Sequence, residues 1–211
     1  MKIAVVDYGM GNLRSVSKAL EHVALRAQVE ITSDAARIAA ADRVVFPGQG
    51  AMPDCMREMD ARGLRGAVVD ASRSKPFLGI CIGLQMLFER SEEGDVQGLA
   101  LFRGTVRRFP AEKMAMPEGG RLKVPHMGWN QVHQTLVHPL WRGIPEGERY
   151  YFVHSYFACP DDHALIGGEA EYGVRFACAV ARDNIFAVQF HPEKSANSGL
   201  KLLANFVDWN P

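Results

Sequence analysis

The chain of 211 residues has no excess of either charge: 24 Lys and Arg stand against 24 Asp and Glu, a formal net charge of zero. That balance argues against nucleic acid or an anionic membrane as a partner held by bulk electrostatics, though it leaves room for a local charged patch. Long apolar runs are missing too. No window approaches eighteen consecutive apolar residues, so no membrane span is expected. The opening stretch MKIAVVDYGMGN meets Asp7 and Gly9 too soon to be the apolar core of a signal peptide. Both absences lead to the expectation of a cytoplasmic protein. Cysteine is scarce, and Cys55, Cys81, Cys159 and Cys178 make neither a C-x-x-C pair nor a zinc-ligand spacing. In a reducing compartment they are free thiols, and Cys55, Cys159 and Cys178 read as small buried hydrophobes. Phosphate-loop signatures are absent as well: DYGMGN (7–12) fits neither G-x-G-x-x-G nor G-x-x-x-x-G-K-[ST]. There is no repeat, low-complexity tract or obvious linker, so 1–211 reads as a single domain able to bury a substantial core.

What is present in the first half is an alternation of strand and helix patterns. KIAVVDY, QVEIT, RVVFPG and KPFLGI are compact apolar or alternating runs and read as strands. Between them lie NLRSVSKALEHV, with Leu13, Val16, Leu20 and Val23 at helical spacing, and SDAARIAAA, with Ser33 or Asp34 as its cap. A longer helical region interrupted by glycines covers MREMDARGLRGAVVDAS, and LQMLFERSEE (84–93) reads as a helix stopped by Gly94. This order predicts βαβ units, hence an α/β fold: an open, mostly parallel sheet with helices on both faces. Three loops, DYGMGN, FPGQG and GICIG, sit at strand ends and should converge on one edge of the sheet. The second half is richer in short strands (RGTVRRFP, KVPHMGWNQVH, RYYFVHSYFAC, VRFACAVARDNIFAVQF), predicting antiparallel additions, with a turn at ARDNIF and a last helix over NSGLKLLANFVDW.

Cys81 stands between Gly79 and Gly83 where a strand should give way to a helix. G-x-C-x-G is the thiol form of the nucleophile elbow. Its glycines should supply room and unusual backbone angles, and its turn should set the sulfur at a helix N-terminus, where positive partial charge favours a thiolate. A thiol nucleophile needs a base and an orienting group. VQFHPEKS offers both: His191 follows an apolar strand, and Glu193 can hold its imidazole. For the oxyanion, the backbone N–H of Ile82 is one candidate donor, and the glycine loop PGQG (47–50) offers another at Gly50. The remaining histidines, His126 and His154 among them, read as structural.

PGQG, GICIGLQMLF and QFHPEKS together resemble the class I, triad-type glutamine amidotransferases. With DYGMGNLRSV, KVPHMGWNQV and YYFVHSYF, the chain is similar along its whole length to the glutaminase subunits of imidazole glycerol phosphate synthase. The resemblance implies a flavodoxin-like amidotransferase domain in which Cys81 attacks the glutamine side-chain amide. His191 serves as acid and base, and Glu193 orients it. Gly48, Gly50, Gln85, Ser155 and Tyr156 match the glutamine pocket. No metal or cofactor is implied. Ammonia would pass to a (β/α)8-barrel cyclase subunit in a heterodimer, and Asn12, Met127, Trp129 and Lys194 match positions facing that partner. Trp129 in the core remains the alternative. The family's loop usually reads P-G-V-G, and here Gln49 replaces its valine. Other readings are an amidotransferase subunit of another pathway, a γ-glutamyl hydrolase acting alone, and a non-catalytic binding module on the same fold.

Overall fold

Three of the apolar runs become strands with scarcely an exposed residue: β1 (Lys2–Val6), β3 (Arg43–Gly48) and β4 (Phe77–Cys81). The computed structural model describes residues 1–115 and 120–211. Burial on both faces is the pattern of a parallel sheet covered by helices. β2 (Gln28–Thr32) lies outermost beside β1, and β14 (Ile185–Val188) closes this block on the far side of β4, giving the all-parallel order β2-β1-β3-β4-β14. The crossovers are α1 (Leu13–Val23), α2 (Ala35–Ala40), and the pair α3 (Met52–Ala61) and α4 (Arg65–Ser74). Asp34 caps α2 by accepting from Ala36 N–H at 2.8 Å. α1 packs with the last helix, α6 (Ala196–Asp208), and α2 packs with α4. Since the chain reverses its direction across the sheet after β2, right-handed crossovers put these two pairs on opposite faces.

The second half extends the sheet with antiparallel strands. β13 (Val174–Arg182) pairs with β14 through the turn at Asp183 and Asn184, and β11 (Tyr156–Pro160) and β7 (Phe102–Arg108) follow. β12 (Ile166–Tyr172) branches from β13 and carries the short β9 (His133–Gln134). A separate ribbon joins β8 (His126–Gln131) to β10 (Arg149–His154). No helix of the described residues is long and apolar enough to cross a membrane.

One expected element differs. The stretch 84–93 is not a helix: α5 (Ile82–Gln85) is a single turn, and Phe88–Ser91 is strand β5, parallel to β7 and antiparallel to β6 (Val96–Gln97). The backbone groups a helix would use internally are taken by the returning chain: Leu99 N–H donates to Met86 O, Leu101 and Phe102 N–H to Leu87 O, and Ala100 N–H to Phe88 O. Gly98 permits this approach, because a Cβ there would fall 2.1 Å from Phe88 O. Buried Phe88 then packs on Phe102 at 5.7 Å. Long-range pairing overrides a local helical preference.

Candidate active site

Cys81 is the last residue of β4 and the cap of α5, with φ 57° and ψ −112°. Left-handed backbone is uncommon for a side chain with a Cβ and costs on the order of 1–3 kcal/mol, held in place by its surroundings. The flanking glycines supply the space and Cys81 itself the unusual angle, which corrects the expectation that the glycines would take both roles. A Cβ at Gly83 would fall 1.9 Å from Phe46 O, and one at Gly79 would fall 2.8 Å from the Ala187 Cβ. β3 and β14 therefore close on the elbow from both sides. Because α5 is one turn long, its dipole is small, and other groups must stabilise charge on the sulfur.

His191 and Glu193 form one of them. β14 delivers the chain to His191, whose N–H donates to Tyr151 O at 2.9 Å and whose carbonyl accepts from the Ser195 hydroxyl at 2.6 Å. With its backbone pinned, the imidazole Nδ1 meets Glu193 Oε1 at 2.9 Å, and both side chains are almost wholly buried. Among the described residues Nε2 finds no hydrogen-bond partner, and Cys81 lies close to the ring. Burial penalises an imidazolium here, but the Cys81 sulfur and then the Glu193 carboxylate outweigh that penalty and push the His191 pKa up to about 10. A positive imidazolium beside a thiol favours its thiolate.

Cys81 opens into a cavity of about 330 Å³. Gln49, Gly50, Ile82, Gln85, Ser155 and Tyr156 contribute to its wall, as does His191. Gln85 is buried and its amide is oriented: Nε2 donates to Tyr156 O at 3.0 Å and to Gln189 Oε1 at 2.9 Å. Among the described residues its own Oε1 is a buried acceptor without a partner, which suits it to a ligand ammonium. Gly48 is the exception among the sequence-derived pocket residues. It lies beneath the wall, where a Cβ would fall 2.3 Å from the Tyr8 hydroxyl and 2.9 Å from the Ile82 Cβ. The three strand-end loops do converge, since a Cβ on Gly50 would also fall 2.9 Å from the Met10 methyl.

On the β8–β10 ribbon, Met127 stands opposite Val153, which lines the cavity, and is 63% exposed, while Trp129 is 49% exposed, which removes it from the core. Lys194, exposed at the rim, holds its ammonium 5.8 Å from the Tyr151 ring centroid. Asn12 precedes α1, half-buried, with no side-chain capping bond. Cys55 and Cys178 are buried as expected, whereas Cys159 is only half-buried. Burial pushes the Cys55 thiol up to about 11 and the Cys178 thiol well above its ordinary value, so neither is a thiolate at neutral pH.

Sequence reasoning missed three polar residues here. Glu93 reaches the cavity wall, and its carboxylate accepts from Met52 N–H at 2.8 Å. Gln189 touches both Gln85 and Cys81. His154 lines the cavity and donates from Nδ1 to Tyr156 O at 2.8 Å. The one available signal was a glutamine inside the otherwise apolar run IFAVQF.

A model of the family "Glutamine amidotransferase class-I" matches residues 4–209. The curated protein "Imidazole glycerol phosphate synthase subunit HisH" of Dechloromonas aromatica (strain RCB) is 70% identical over 209 residues, covering 99% of this chain and 97% of its own. The protein of the same name from Aromatoleum aromaticum is 67% identical, with 99% of each chain covered. Among solved structures, a chain of PurLQS from Thermotoga maritima superposes with a TM-score of 0.72 at 17% identity, over 98% of this chain and 97% of the other. The glutaminase domain of the Trypanosoma brucei CTPS, with bound acivicin, superposes with a TM-score of 0.64 at 18% identity, over 100% of this chain and 95% of that one.

Proposed function

The chain belongs to the class I glutamine amidotransferases, among the glutaminase subunits of imidazole glycerol phosphate synthase in histidine biosynthesis, and from that premise we propose that Cys81, His191 and Glu193 carry its chemistry. The carrying observation is the buried His191–Glu193 pair set against a strained Cys81 that opens into a cavity.

In this reading the Cys81 thiolate attacks the side-chain carbonyl carbon of glutamine. Negative charge moves to the carbonyl oxygen, where the N–H groups of Ile82 and Gly50 receive it. The His191 imidazolium gives its proton to the departing nitrogen, and ammonia leaves. A glutamyl thioester remains on Cys81. Neutral His191 then takes a proton from water, hydroxide adds to the thioester, and glutamate departs as the thiolate is restored. Glu193 fixes the imidazole orientation and stabilises its charge throughout. Gln85 Oε1 and the Glu93 carboxylate are acceptors for the α-ammonium, and Ser155, Tyr156 and the glycine loop around Gly48 and Gly50 complete the pocket.

The partner is a (β/α)8-barrel cyclase that consumes the ammonia, in a one-to-one heterodimer. Asn12, Met127, Trp129 and Lys194 face it, and the exposed apolar pair on the β8–β10 ribbon supports that side as the interface. We assign the enzyme to the cytoplasm on the pathway alone. The test is glutamate release from glutamine by wild type and Cys81→Ala, each alone and with a cyclase subunit plus its ribonucleotide ligand. Release that needs the liganded partner and vanishes in Cys81→Ala is expected. Strong turnover without the partner would refute the coupled scheme, and turnover by Cys81→Ala would refute the nucleophile.

A further inference from the structure

Gln189 is fully buried just beyond β14, and no step above uses it. The β14–β4 register ends with Val188 opposite Ile80, so the next step brings Gln189 level with Cys81. Its N–H donates to Cys178 O at 2.8 Å, which ties its backbone into the sheet. Its side chain bridges two groups of the site. Oε1 accepts from Gln85 Nε2 at 2.9 Å, and Nε2 stands 3.8 Å from Cys81 Sγ in donor geometry.

Hydrogen-bond chemistry dictates this orientation. Tyr156 O is a carbonyl and can only accept, so the Gln85 nitrogen must face it. The second hydrogen of that nitrogen points at Gln189, so the Gln189 oxygen must receive it. The Gln189 nitrogen is then left facing the sulfur. Tyr156 O is itself held by a second donor, His154 Nδ1 at 2.8 Å. With its hydrogen on Nδ1, neutral His154 presents Nε2 as an acceptor to His126 Nδ1 at 3.0 Å. His126 Nε2 in turn faces Asn130 Nδ2 at 3.4 Å. Burial holds both histidines neutral near pH 7, with pKa values lowered to about 4 for His126 and about 3 for His154. Two runs of donors therefore meet at Tyr156 O, one from Asn130 on β8 through the two histidines and one from Gln85, whose second hydrogen sets Gln189 toward Cys81.

We infer that Gln189 is a positioning residue of the glutaminase site: it holds the Gln85 amide with its oxygen toward the substrate ammonium and directs an N–H at the Cys81 sulfur. The inference rests on the glutaminase reading. A donor aimed at sulfur favours the thiolate, because the ionised atom is the better acceptor.

Two variants separate the two contacts. Gln189→Met removes both. Gln189→Glu keeps an acceptor for Gln85 but replaces the N–H facing sulfur with a carboxylate. Glutamine KM and kcat are measured in the complex with the cyclase. The rate of Cys81 alkylation by iodoacetamide is followed against pH on the full chain, with the modified peptide identified by mass. Thermal melting checks folding. Gln189→Met should raise KM by about 10-fold, the value of one hydrogen bond to a charged group, and move the alkylation midpoint to higher pH. Gln189→Glu should leave KM within about 3-fold, a difference below one such bond, and move the midpoint at least as far. A folded Gln189→Met with wild-type KM and an unmoved midpoint would overturn the inference. Should that variant not fold, an unmoved midpoint in Gln189→Glu would overturn it equally. If wild type released no glutamate, the glutaminase reading would fail, and the alkylation profiles would still decide whether Gln189 acts on the sulfur.

Discussion

Replacing His154 by glutamine should cost stability at neutral pH and much less of it in mild acid. The side chain is buried, with aromatic neighbours at 5.2 Å (Phe109), 5.3 Å (Phe176) and 5.6 Å (Phe152). Glutamine can keep the donor to Tyr156 O and the acceptor for His126, but it loses that packing, a loss of about 1–3 kcal/mol. The pH dependence comes from titration. Burial lowers the His154 pKa from 6.5 to about 3, opposed by the Tyr156 carbonyl and reinforced by His126 and His191. A depressed pKa means that the folded state excludes a proton the unfolded chain binds. The stabilisation is complete above the unfolded value and is lost as pH falls toward the folded one. Near pH 5 the unfolded imidazole is about 97% protonated and the folded one only about 1%, and integrating down from about pH 7.5 gives about 2 kcal/mol lost by wild type. Glutamine does not titrate, so the variant escapes that loss. The difference between the two proteins should therefore shrink by about 2 kcal/mol between these conditions, while their other titrating groups cancel. Urea unfolding at the two pH values, followed by tryptophan fluorescence at equal m-values, measures it. An unchanged difference would mean that folded His154 accepts its proton readily, and the neutral donor order from Asn130 to Tyr156 O would then be wrong.

Three further outcomes are expected. Glu193→Gln removes the carboxylate that orients His191 and helps push its pKa up to about 10, so kcat for glutamate release should fall by about 10²–10⁴-fold and the alkaline limb of the profile should move to lower pH; a steady-state pH profile tests both. Gly83→Ala places a methyl 1.9 Å from Phe46 O and should destabilise the fold by at least about 2 kcal/mol, seen as a lowered urea midpoint with unchanged m. Trp129→Ala removes an exposed ring and should leave the urea midpoint alone, while weakening cyclase binding by about 2 kcal/mol or more if Trp129 anchors the interface; calorimetric titration with the partner reads this directly.

Much of this architecture can be read from local pattern, because β1, β3 and β4 are short, continuous apolar runs that fit only a covered parallel sheet. The proposed nucleophile Cys81 and its proposed partner His191 were picked out for the same reason, each sitting where such a run stops. We propose 1–211 as a single domain, a reading supported by a sheet whose strand order runs unbroken from β2 to β6. Other features were hidden because their cause lies far along the chain. Residues 84–93 carry a helical composition, yet the segment around Gly98 claims their backbone groups. Gln189 finds its partner 104 positions away in Gln85. No periodicity marks such a pair. The strained backbone at Cys81 was also invisible, since the two glycines beside it looked like the natural bearers of it.

The pairing of β14 with β4 has a consequence for how the molecule is made. β14 lies between β4 and β13 in the finished sheet, yet it is the last strand in the chain. During synthesis, β1 to β4 emerge early and can assemble around short crossovers. β4 must then wait, with one edge unpaired, for a segment about 110 residues downstream, a delay that long-range contacts impose on any folding chain. An open edge of buried, apolar strand is an invitation to the wrong neighbour. The strand that closes it also carries in His191, so the proposed nucleophile Cys81 gains its proposed acid–base partner only when the sheet is sealed, and a half-made chain holds that cysteine without the histidine it is to work with.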